Sequence, residues 1–262
     1  MATLDRREHV EMFPGTVVLE PGPGIRVGMM ACGALGACDL TTCLVSIAPG
    51  AQLPYHTHPT GEAIVVLEGR AWADVENRRY VLEPYDALYV PRGVVHGLRN
   101  SQQDTTLWLG TAFPTGEVTR EFVAAPAQLL AKDFPGPTDP EALVRWPEAR
   151  AYSLAERMRS WDLFGRRWGA EDVCGGIGEF APGAALPCHV HPFDESITIL
   201  RGVATCWVSG RRYVLRERST ILIPQQLPHR FANEGSDTMV MLWVYAGGEP
   251  MRTIVDESRC SG

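Results

Sequence analysis

Runs of strand length, either apolar throughout or alternating apolar with polar, dominate the first half of the chain, at 42–47, 64–68, 71–75, 78–82, 87–90, 94–99 and 105–111. Gly, Pro, Asn or charged residues punctuate them. A period of two with turns at that spacing predicts an all-β barrel or sandwich. A second series begins near Trp168 and ends near Tyr245. Between the two series the texture changes. Residues 124–132 are rich in Ala and Leu, and Thr138-Asp-Pro-Glu141 and Ser153-Leu-Ala-Glu156 have the spacing of capping boxes, so short helices are predicted around a Pro135-Gly136-Pro137 break. The expected division is an N-terminal arm at 1–25, a barrel at 26–113, a linker of short helices at 114–160, a second barrel at 161–248, and a polar tail at 249–262, extended or partly disordered.

Residues 50–69, GAQLPYHTHPTGEAIVVLEG, concentrate the chemistry of the first half. His56 and His58 are two apart, so on a strand both imidazoles leave the same face. Pro59-Thr60-Gly61 is turn chemistry and brings Glu62 back beside them, and His96 can supply a third imidazole. An offset of 133 lays His189, His191, Glu195 and His229 onto these four without a gap. Over residues 50–100, 21 of 51 positions are identical under that offset, which excludes coincidence. Six of the seven histidines belong to the two sets, leaving only His9. Three imidazoles and a carboxylate in one place are a metal site.

The spacing Gly-x5-His-x-His-x3-Glu-x6-Gly, followed by Pro-x-Gly-x2-His-x3-Asn, resembles the two signature motifs of the cupin superfamily, and the duplication resembles a two-domain cupin, or bicupin. The resemblance implies two tandem jelly-roll barrels, each with one divalent metal on three His and one Glu. Iron, manganese and nickel suit such a set best; zinc, cobalt and copper are tolerated, and zinc could close the four ligands into a structural tetrahedron. Some residues depart from the pattern. Tyr85 and Arg218 stand where a glycine usually opens the second motif, Gln226 replaces an inner glycine, and Pro228 precedes His229. Such changes re-aim neighbouring side chains, so the second site is expected to be the less regular one.

Alternation also orders the walls. Ile64, Val66, Leu98, Ile197, Ile199 and Phe231 fall on the inward register and make a candidate substrate pocket, whereas Asn100 and Asn233 suit turns. No Lys or Arg falls on that register, which counts against a small dianion such as oxalate. An apolar or aromatic substrate with a chelating oxygen pair is favoured, and with it a dioxygenase resembling the quercetinase-like cupins, with dioxygen as co-substrate. A metal-dependent isomerase, decarboxylase or hydrolase stays open, as does a non-catalytic binding barrel like the seed globulins.

Composition narrows the partners. A net charge of −7 without a long basic run argues against nucleic acid and anionic membrane, and no run approaches a membrane span. Seven cysteines without a C-x-x-C pair, and a start lacking the apolar core of a secretory signal, predict free thiols in a reducing cytoplasm. Cys188 is turned away from the metal face by alternation. The glycines of Cys174-Gly-Gly-Ile-Gly178 lack the Lys-Ser/Thr of a phosphate loop, and Trp72, Trp108, Trp207 and Trp243 read as core aromatics. Exposed barrel edges leave a homodimer open.

Overall fold

The computed structural model describes residues 6–261; the first five residues of the expected arm and the last of the expected tail lie outside the described residues. Two sheets form each half. In the N-terminal half a seven-stranded sheet, in the spatial order Ala142–Val144, Ala87–Val90, Glu62–Glu68, Leu107–Phe113, Thr41–Ile47, Ile25–Ala31, Val17–Leu19, faces a six-stranded one built on Gln52–Thr57, His96–Asn100, Ala71–Val75 and Arg78–Leu82. In the C-terminal half, His9–Met12, Ser219–Ile223, Glu195–Arg201, Met239–Tyr245, Cys174–Phe180 and Met158–Phe164 make one sheet. The other is Arg211–Arg216, Val203–Val208, His229–Ala232, His189–Val190 and Thr253–Ile254.

Side-chain alternation assigns each strand two duties. Ile64 and Val66 join Val27, Val45 and Leu109 inside the first barrel. Their neighbours Ala63 and Val65 point outward, into an apolar layer with Leu222, Val240, Leu242 and Val244, where the long sheets of the two barrels meet back to back. A buried hydrogen bond between Thr42 Oγ1 and Ser196 Oγ (2.8 Å) crosses this layer.

Three sequence expectations are corrected. The linker forms no α-helix; among the described residues only short 3-10 turns occur. Prolines 126, 135, 137 and 140 interrupt it, and its backbone finds partners on sheet edges instead. Leu130–Ala131 runs parallel to Arg78–Arg79, and Ala142–Val144 pairs with Ala87–Tyr89. Glu141, expected at a capping position, is buried and accepts from Arg78 Nε (2.7 Å), Arg78 Nη2 (2.8 Å) and Tyr80 Oη (2.5 Å). The tail is likewise not loose. Thr253–Ile254 pairs with His189–Val190, and buried Cys260 is joined to Cys188 by a disulfide. The thiols are therefore not all free, although Cys32, Cys38, Cys43, Cys174 and Cys206 are. The arm crosses to the far barrel: His9–Met12 pairs with Ser219–Leu222, and Glu8 accepts from Arg211 and Tyr213.

Candidate metal centres

Strand register assembles the first set. His96 lies opposite His56 on the neighbouring strand, and Glu62 enters from the facing sheet opposite Val90. All four side chains are buried, and one ligand atom from each falls within 4.8 Å of the others. His189, His191, Glu195 and His229 repeat the arrangement, with His229 opposite His189. The Gln226 departure is absorbed locally. Gln226 adopts the left-handed backbone itself (φ +66°), and its N–H donates to His191 O at 2.8 Å, the bond that Gly93 makes to His58 O. Tyr85 (φ +69°) and Arg218 (φ +63°) do the same, a strain of about 1–3 kcal/mol each. The second set is thus no less regular than the first, contrary to the expectation from its motif.

Hydrogen bonding fixes which imidazole nitrogen faces inward. Every outer Nδ1 sits on a backbone carbonyl: His56 on Pro54 (2.7 Å), His58 on Thr119 (2.7 Å), His96 on Val94 (2.9 Å), His189 on Pro187 (2.8 Å), His191 on Met251, and His229 on Leu227 (2.9 Å). A carbonyl requires Nδ1–H, so each Nε2 presents a lone pair to the centre. Yet Nε2 of His96 lies 2.8 Å from Glu62 Oε2 and Nε2 of His229 lies 2.7 Å from Glu195 Oε2. Acceptors pressed together in a buried space need a shared cation, and the Nε2 atoms of His56, His58, His191 and His229 have no hydrogen-bond partner. The donor set fits a divalent ion.

Electrostatics keep the ligands ready. Burial and the neighbouring His96 push His56 down to about 4, and burial with His229 pushes His189 to about 3, so both stay neutral at pH 7. Burial opposes charge on Glu62 and Glu195, but the facing imidazoles outweigh it and hold both carboxyls well below their usual range.

The surroundings of the two sets differ. A cavity of about 290 Å³ reaches the C-terminal ligands His189, His191 and Glu195. Of the six candidate pocket residues, Ile197 and Phe231 line it; Ile199 is core of the same barrel, and Ile64, Val66 and Leu98 are core of the other. The offset of 133 explains where the space comes from. On the inward face of the first barrel stand Val27, Met29, Cys43 and Val45; at the corresponding places of the second stand Ser160, Asp162, Gly176 and Gly178. Gly178 lies against Met158 and Met241, and Gly176 against the backbone carbonyl of Trp161 and the Trp243 indole. The glycine run from Cys174 to Gly178 is a strand that makes room beneath the cavity wall, not a phosphate loop.

Two arginines escaped the inward-register count because they arrive on straps outside the barrel strands. Thr119, whose carbonyl holds His58, is followed by Arg120; Met251, whose carbonyl holds His191, is followed by Arg252. The straps pair alike, Glu121–Phe122 with Thr57 and His56, and Thr253–Ile254 with Val190 and His189. Val123 N and Val255 N then donate to Tyr55 O and Cys188 O, both at 2.9 Å. Arg252 lines the cavity, and Arg120 lies over the Phe113 ring that packs on His58. These cations lie outside the register count, which therefore weighs less against an anionic substrate. The motif Arg-x-x-Val, offset by 132 after one deleted residue, was the available signal.

Asn100 and Asn233 bind turns, donating to the carbonyls of Ile47 and Thr105 and of Phe180 and Asp237. Among the described residues no helix is long and apolar enough to cross a membrane.

Comparison with known proteins bears on the fold and the family. A search of curated proteins finds no match. Among solved structures, a formate complex of Lactobacillus farciminis oxalate decarboxylase is similar, with a TM-score of 0.76 at 16% identity over 97% of this chain and 90% of that one. Bacillus subtilis oxalate decarboxylase at pH 4.6 gives 0.73 at 15% identity, over 97% and 80%. These likenesses are to the two-barrel architecture as a whole. The family model for the cupin domain matches twice, at residues 43–111 and 176–245, together more than half of the chain. With both ligand sets in place inside duplicated jelly-roll barrels, the chain belongs to the cupin domain family, as a bicupin.

Proposed function

We propose that this bicupin is a metal-dependent enzyme of small-molecule metabolism whose C-terminal barrel decarboxylates a carboxylic acid with an apolar or aromatic body. The observation that carries this reading is Arg252 on the wall of a cavity that reaches His189, His191 and Glu195 of the C-terminal ligand set. A divalent ion held by the three imidazoles and the carboxylate would keep positions open and act as a Lewis acid toward a chelating oxygen pair. Arg252 adds a fixed positive charge suited to a carboxylate. Leu186, Ile197, Phe231, Met241 and Trp243 surround the rest of the substrate with apolar surface. The bond to the carboxylate carbon breaks, its electron pair stays with the apolar fragment, and a proton closes that fragment. Tyr245, packed at a tilt against His191 (4.5 Å between centroids) and kept protonated by burial and by Glu195, is the hydroxyl placed to deliver it.

Similarity of fold to oxalate decarboxylases supports the reaction class. The cavity supports a larger acid than oxalate, since about 290 Å³ of largely apolar space far exceeds a two-carbon dianion. The N-terminal set, walled by packed core, holds its ion in an accessory or structural role. The same apolar wall favours a second reading, oxygenative cleavage of an aromatic chelator. Following CO2 release and O2 uptake together, over aryl-substituted 2-oxo and 2-hydroxy acids with oxalate as comparator, separates them. CO2 without O2 uptake is expected; stoichiometric O2 uptake would establish the oxygenase, and neither would leave a binding protein.

A further inference from the structure

The wall of the C-terminal cavity away from the ligands carries polar groups that the proposed reaction does not use. Trp243 is 5% exposed, and its indole N–H is buried without a partner. An orphaned buried donor is rare in native proteins, and here the side chain lines a cavity. Across the sheet, Asp162, Gly176 and Trp243 are aligned on three adjacent strands. Gly176 carries no side chain, and indole Cζ2, beside Nε1, lies 2.7 Å from where its Cβ would be. The indole therefore leans over the glycine strand, which separates its own strand from that of Asp162. Tyr152 Oη donates to Asp162 Oδ1 at 2.5 Å, and among the described residues no side chain or backbone N–H donates to Oδ2. Burial raises the Asp162 carboxyl, although Tyr152 opposes this. At the matching places of the first barrel Met29, Cys43 and Thr111 stand on a filled core.

We propose that this wall is a hydroxyl-recognition subsite, in which the Trp243 N–H donates to, and Asp162 accepts from, a phenol or alcohol at the apolar end of the substrate. A hydroxyl satisfies both partners through one atom; a methyl group leaves the indole N–H and the carboxylate unpaired, and a second carboxylate is repelled. The inference rests on the C-terminal cavity being the substrate site, and it names the substrate more narrowly as a hydroxylated aryl or alkyl acid.

The test is calorimetric binding to the full-length, metal-loaded protein of two probe pairs: 3-phenylpropanoate with its 4-hydroxy derivative, and ethylbenzene with 4-ethylphenol. Within each pair the hydroxylated member is expected to bind about tenfold more tightly. Trp243→Phe and the isosteric Asp162→Asn should each reduce that preference to about twofold or less, a ratio taken within each pair and so independent of any common change in affinity from altering the wall. Equal binding of both members of both pairs by the wild type overturns the subsite, as does a preference that survives both substitutions. If neither acid binds while 4-ethylphenol is still preferred in a Trp243-dependent way, the carboxylate reading fails and the subsite stands. If the acids bind without regard to the hydroxyl, the carboxylate site stands and the subsite fails.

Discussion

Filling the glycine gap beneath the cavity should close the C-terminal site without unfolding the barrel. In Gly178→Val the new Cβ meets Met241 Cγ at 3.2 Å, Phe180 Cε2 at 3.3 Å and Met158 Cε at 3.7 Å; the flexible methionines can move aside, and the Phe180 ring must give by a few tenths of an ångström. Both methionines line the cavity, so they move into it. Three added carbons at roughly 30 Å³ each, taking the liquid-volume share of a water as the yardstick, remove about 90 Å³. That is close to a third of the 290 Å³ present. Burial of three carbons contributes about 2 kcal/mol and loss of glycine's entropy about 0.5–1 kcal/mol, against an overpacking cost of about 1–3 kcal/mol. The fold should therefore stay within about 1 kcal/mol of wild type, a shift of a few degrees in Tm. A ligand that must compete for the lost space bears the overpacking cost instead, about 10- to 100-fold in affinity. The mirror change, Val45→Gly, deletes packed core. Transfer of about 2 kcal/mol plus a cavity term of about 2 kcal/mol predicts a destabilisation near 4 kcal/mol with binding unaffected. Isothermal titration with the substrate-like acid, a thermal melt and elemental analysis on the same preparations decide the matter. A folded, metal-replete Gly178→Val protein that binds within threefold of wild type refutes the assignment of the cavity as the working site.

The remaining predictions separate the barrels and test their fastenings. His191→Ala should lose about half the bound metal and all measurable turnover, whereas His58→Ala should lose the other half and keep turnover within about threefold, as read by elemental analysis beside the CO2 assay. Cys260→Ser opens a loop closed over a separation of 72 residues. A loss of about 2–4 kcal/mol in denaturant unfolding is expected, with reductant bringing the wild type to the same value and leaving the variant unmoved. Burial pushes the Glu8 carboxyl up, but its hydrogen bonds from Arg211 and Tyr213 prevail and hold it below 4.5. A lowered carboxyl contributes stability above its unfolded value and loses it as pH falls through the folded one. The difference in melting temperature between wild type and Glu8→Gln should thus be full at pH 7 and shrink below about pH 4, with amide exchange at His9–Met12 rising in parallel.

What the sequence disclosed, and what it withheld, follows one physical division. The ligands were legible because they lie on strands of fixed period within an ungapped repeat, so the geometry that joins His56 to His58 and Glu62 is local and copied whole. Arg120 and Arg252 were hidden by one deleted residue between Asn233 and Met239 relative to Asn100 and Leu107, and by their place on straps that meet the site only after folding back. The disulfide and the burial of Glu141 are of the same non-local kind. Cys188 and Cys260 adjoin because the tail pairs beside His189, and Glu141 leaves its capping role because Arg78 and Tyr80 await it on another strand. Tertiary partners outweigh a local helical preference worth well under 1 kcal/mol per residue.

A repeat compared only at its shared ligands makes the barrels look equivalent. The informative comparison is at the positions that differ while facing the same way. Val27, Met29, Cys43 and Val45 against Ser160, Asp162, Gly176 and Gly178 is an exchange of core volume for space and for hydrogen-bonding groups. Core volume stabilises a barrel at roughly 0.8 kcal/mol per buried methylene, so a barrel that forgoes it on one wall needs compensation elsewhere. The C-terminal half has it: a disulfide to the strap, the arm strand His9–Met12 added to its sheet edge, and the apolar layer against its neighbour. On this view the filled N-terminal barrel is the support on which the hollow one depends, and the duplication has separated stability from chemistry.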